Sequence, residues 1–63
     1  MTQKELLNVE DAICHEDNII NICNDIISRL DDEDVINFIE EELEGHNNTK
    51  NKLMDLLEDN VNG

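Results

Sequence analysis

Glu16, His46, Glu42 and His15 are the side chains whose types and positions offer chemistry beyond a solvated surface. Carboxylates bind hard cations and accept hydrogen bonds, and imidazole adds a nitrogen donor suited to Fe, Mn or Zn. Glu16 interrupts an apolar stripe running Leu6, Val9, Ile13, Ile20, Cys23, Ile27 and Leu30, at spacings of three and four. His46, followed by Lys50, interrupts a second stripe of Ile36, Ile39, Leu43, Leu53 and Leu57. At about 100° per residue, His46 points to the centre of its stripe. Glu42 and Thr49 stand on one shoulder and Lys50 on the other.

These stripes belong to helices, because apolar residues recur with the helical period and no proline breaks either run. The first helix is expected over about 3–30, opened by a capping box in which Thr2 and Glu5 satisfy each other's amides. The acidic corner 31–34 turns the chain, with Asp31 or Asp32 capping a second helix over about 33–59. The last residues, Asn60–Gly63, are expected to fray. An antiparallel return pairs Ile27 with Ile36, Ile20 with Leu43, Ile13 with Leu53 and Leu6 with Leu57. The same register sets Glu16 opposite His46, so the two interruptions meet halfway along both helices. The fold class is therefore all-α: residues 1–63 form one antiparallel helical hairpin.

A chain of 63 residues that forms two helices leaves much apolar surface wet and is marginal alone. Ala12, Ile19, Ile22 and Ile26 widen the first stripe on one side, the side that also carries His15. This surplus points to a homodimer closing a four-helix bundle, or to a higher homo-oligomer. A twofold axis at the midpoint would then gather two copies of Glu16 and His46, with Glu42 one turn away. Four carboxylates and two imidazoles inside a bundle are the donor set of di-iron and di-manganese proteins. Glu42 and His46 are four residues apart, whereas such helices usually carry Glu-x-x-His. His15 is an outer or interface candidate for the same centre. The alternative is metal-free: Glu16 and His46 form a hydrogen-bonded pair that sets register, with Lys50 reaching out to water.

Gly45 to Thr49 are weak helix formers beside the sole stripe histidine, so either a kink or the close approach of another group is expected there. The four-acid corner lacks the glycine and the ligand spacing of a calcium loop. Cys14 and Cys23 lie on nearly opposite faces of one helix, about 13 Å apart along its axis, and cannot bond to each other within a chain. Cys23 reads as a core residue and Cys14 as an outer one. No serine or cysteine is placed as an activated nucleophile, and Tyr and Trp are absent, so catalysis is not expected.

Seventeen acidic residues against four basic ones leave a formal net charge of −13. No basic patch exists to bind nucleic acid or an anionic membrane. The acidity also admits a small inhibitor that binds a basic protein. Met1 is followed by polar residues rather than an apolar run, so no signal peptide or membrane span is expected.

The opening Met-Thr-Gln-Lys-Glu-Leu-Leu-Asn-Val-Glu-Asp-Ala, then His15-Glu16, Cys23-Asn24 and the late His46, resembles small clostridial proteins labelled spore coat proteins. These look like half-length members of the ferritin-like superfamily. The resemblance spans nearly the whole chain and implies a two-helix subunit that pairs into a ferritin-like bundle, with ligands at Glu16 and His46. It further implies a structural, spore-associated role with other coat proteins as partners, while the polar start points to the cytoplasm or a spore coat assembled from it. Leu53, Met54 and Leu56 stand where such proteins tend to carry aromatic residues.

Overall fold

The computed structural model describes residues 1–62, without the side chains of Val61 and Asn62. Two helices, α1 over Gln3–Arg29 and α2 over Glu33–Asn62, pack side by side in a body of 46 × 14 × 12 Å. Three contacts fix the antiparallel sense. Glu16 meets His46, Asp17 meets Lys50, and the amino group of Met1 donates to Asn60 Oδ1 at 3.2 Å. Position numbers fall on one helix as they rise on the other, as a hairpin requires.

The helix ends follow from local hydrogen bonding. Glu5 N–H donates to Thr2 Oγ1 at 3.2 Å, and Thr2 N–H donates to Glu5 Oε1 at 2.9 Å. The Thr2 backbone N–H, and after it the Thr2 hydroxyl, hold the Glu5 carboxyl below its usual range. α1 stops where Leu30 becomes extended, its N–H reaching Ile27 O at 3.3 Å, with Arg29 in the last turn. Of the two capping candidates, Asp32 takes the role. Its Oδ1 accepts from the amides of Asp34 and Val35 at 2.9 and 3.3 Å. Glu33 and Asp34 already belong to the first turn of α2, where the helix dipole favours negative charge. The unwound corner is thus shorter than the four-acid run.

Two features of α2 differ from expectation. The helix continues beyond Asp59 to Asn62, and the Asn60 amide group donates back to Leu56 O at 2.9 Å. Gly63 lies outside the described residues. Through Gly45–Thr49 the helix is uninterrupted, and a Cβ at Gly45 would meet nothing within 4 Å. Within one chain, then, no neighbour makes use of the small residue.

The seam between the helices is the pair of stripes. Every residue of both is shielded to some degree, and Cys23 is the buried core residue. Cys14 is exposed, and both thiols are free. A two-helix seam covers one sector of each helix, so Ile22, Ile26, Phe38 and Leu56 stay exposed. No helix among the described residues is long and apolar enough to cross a membrane. Asp32→Ala should destabilise the hairpin by about 1 kcal/mol through loss of the α2 cap, and Asp32→Asn should cost much less. Urea titration followed by circular dichroism reads both variants, and equal stability for Asp32→Ala and the parent would contradict the capping role.

Candidate functional site

Halfway along the hairpin, the stripe positions on α1 and α2 bring one carboxylate and one imidazole into contact. His46 Nδ1 lies 2.6 Å from Glu16 Oε2. Side-chain exposure is 15 % for Glu16 and 31 % for His46, so the contact is partly shielded from water. A carboxylate oxygen can only accept, so Nδ1 carries the proton and Nε2 is left as the second ring position. Charge assistance in a shielded place gives this bond more weight than an ordinary surface contact. The register expected from the two interruptions is therefore the one observed.

One residue further along α1 and one turn further along α2, Lys50 Nζ reaches Asp17 Oδ1 at 2.5 Å. Lys50 had been expected to extend into water, with no partner assigned. Lys50 lies one turn toward the Met1 end of the seam and Asp17 one residue toward the corner, so the contact is made by the length of the lysine side chain rather than by facing positions. The two contacts form one polar layer across the seam. Lys50 places a positive charge next to it, which offsets some of the repulsion among the many acids around it. Thr49 is satisfied within its own helix, its hydroxyl donating to Gly45 O at 3.0 Å.

Glu42 and His15, the other two metal candidates, are exposed. Among the described residues, no group of three or more His, Cys, Asp and Glu able to hold a metal ion forms within one chain. The single hairpin therefore joins Glu16 to His46 without completing a coordination sphere, and the ligand count for Fe, Mn or Zn is short. Duplication across an axis is what would make up the number. The carboxylate-bound Nδ1 is compatible with that, since metal-binding histidines commonly donate their other ring nitrogen to a carboxylate.

Comparison with family models, with curated proteins and with solved structures finds no match to this chain.

Replacing both members of the pair by apolar residues tests what the layer does. Glu16→Leu combined with His46→Leu should raise the melting temperature, by the equivalent of about 1 kcal/mol. Glu16→Leu alone should lower it, because the imidazole loses its acceptor in a shielded place. Thermal denaturation of the two variants checks the pair of signs, and a double variant that fails to fold would contradict a purely register-setting role.

Proposed function

We propose that this chain is a small self-associating structural module, of the coat-like, ferritin-like, spore-associated kind its sequence resembles. Two hairpins close into a homodimeric four-helix bundle, and the Glu16–His46 layer fixes their register. The supporting observation is the surface left uncovered. The hairpin exposes 4822 Å², whereas roughly 4,200 Å² is typical of a folded monomer of 7.3 kDa. Two separate hairpins expose about 9,600 Å², against roughly 6,900 Å² for one globule of twice the mass. The difference, about 2,700 Å², falls within the range that obligate homodimers bury. Cys23 as the single buried apolar residue among those described supports the same reading, since one hairpin supplies too little core to stand alone.

A second reading adds a metal to this bundle, and the geometry of the pair favours it. Each copy would bring one carboxylate and one imidazole whose Nε2 is not the nitrogen bound to Glu16. Two copies would supply four donors, with Glu42 able to extend the set. In this reading Fe, Mn or Zn sits on the dimer axis, and the chain's own residues hold it without catalysing a reaction. The acidic surface, with Glu40, Glu41, Glu42 and Glu44 all exposed, keeps the dimer soluble and repels nucleic acid.

Sedimentation equilibrium should give twice the chain mass, and a monomer at all concentrations would defeat the dimer. Metal analysis of protein purified without chelator separates the two readings. The metal reading expects about one to two ions per dimer in the parent and none in His46→Ala, with the dimer retained. Equal metal content in both, or none in either, leaves the metal-free module.

A further inference from the structure

Ile22, Ile26, Phe38 and Leu56 share one side of the hairpin, whereas exposed Leu7 and Met54 lie off it. With the seam of each helix facing the other, the shoulder of α1 carrying Ala12, His15, Ile19 and Ile26 lies on the same side as the shoulder of α2 carrying Phe38, Glu42, Gly45, Thr49 and Leu56. The Lys50–Asp17 pair lies on the opposite side, so it closes one flank of the polar layer and leaves the other flank open. On the open face Phe38 is 59 % exposed, Leu56 44 % and Ile22 57 %.

The order of residues along this face also carries information. Phe38 and Leu56 lie nine positions either side of Asn47, next to the level of His46. An axis crossing the helices at that level would set Phe38 against Leu56 of a second copy, and Leu56 against its Phe38. It would also set Ile19 near the level of the second copy's Ala12. Gly45 lies at the same height, where two facing α2 helices would pass closest. Nothing in the single chain requires glycine there, because the space around it is open. A mid-helix glycine that costs about 1 kcal/mol relative to alanine is accounted for by the close approach of another backbone.

Charge selects between the two ways of overlaying the faces. Placing the corners together would bring two copies of Asp31, Asp32, Glu33 and Asp34 to one end of a dimer already strongly negative. Reversing one hairpin separates them. Each acidic corner then lies level with Met1 and Lys4 of the second copy, where a terminal amine and a lysine are available.

We infer that the face bearing Ile19, Ile26, Phe38, Gly45 and Leu56 is the surface on which a second copy docks, with its hairpin reversed end for end and the twofold axis level with His46. The inference rests on the homodimer proposed above and adds its surface and orientation. It also brings the two Glu16–His46 pairs to one height, on the flank not occupied by Lys50.

Double electron–electron resonance with nitroxide labels tests it in a Cys14→Ser background, where Cys23 is buried and spared from labelling. A label at Asp31→Cys should report a separation of about 45 Å between copies, since the corner lies about 22 Å from the axis at about 1.5 Å per residue. A label at Asn48→Cys, near the axis, reports a dimer of either orientation. Coupling at Asn48→Cys with a corner separation under about 20 Å would overturn the reversed orientation while leaving the dimer. A corner separation of about 25 Å would place the axis level with Ile22 and overturn the central axis. No coupling at either position would overturn the dimer itself and the docking surface with it.

Discussion

Everything in the hairpin is arranged around one contact, the hydrogen bond between His46 Nδ1 and Glu16 Oε2 at the middle of the seam. Apolar stripes are forgiving: isoleucines and leucines repeated at spacings of three and four can slide past one another by a turn at modest cost. A carboxylate and an imidazole cannot. Shifting α2 by one turn, about 5.4 Å, would set His46 level with Ile20 or Ile13 and leave the imidazole shielded from water without its carboxylate. The layer therefore selects one register from several that bury similar apolar area. Lys50 and Asp17 add a second ionic contact on one flank of the layer.

The rest of the molecule follows from the small size of that seam. Two helices cover one sector of each other, and the described residues form no third element to cover the remainder. Caps at Thr2 and Asp32 start both helices cleanly and limit the entropy of a short chain. They cannot replace the missing core. The exposed isoleucines, Phe38 and Leu56 make association with a second copy the natural completion, and the high negative charge sets how the copies can approach. Any metal chemistry would arise from that association, since the described residues of one chain gather too few donors.

Much of the fold was legible in the sequence because it depends on period. The seven apolar residues around Glu16 and the five around His46 identified the seam, and the constant-sum register placed Glu16 opposite His46. The Thr2–Glu5 box follows from side chains that reach only neighbouring amides, whereas the same reasoning left Asp31 and Asp32 equal candidates and the structure selects Asp32. Less legible were the features that depend on exact placement. Lys50 finds Asp17 by extending its side chain about a turn along the seam, which facing stripe positions alone do not reveal. Asn60 to Asn62 stay helical although they are weak helix formers, with Asn60 bonded back to Leu56 O and holding the Met1 amino group. The space beside Gly45 is a property of the packed pair, and only coordinates could show it open.

The most direct measurement of the central claim is a double-mutant cycle on Glu16→Ala and His46→Ala, with unfolding free energies from urea titration at neutral pH and constant protein concentration. A shared, partly shielded contact predicts a coupling energy of about 1–2 kcal/mol, with the double variant less destabilised than the two single losses combined. Additive losses, with coupling under about 0.3 kcal/mol, would show that the two side chains act independently and would contradict the account.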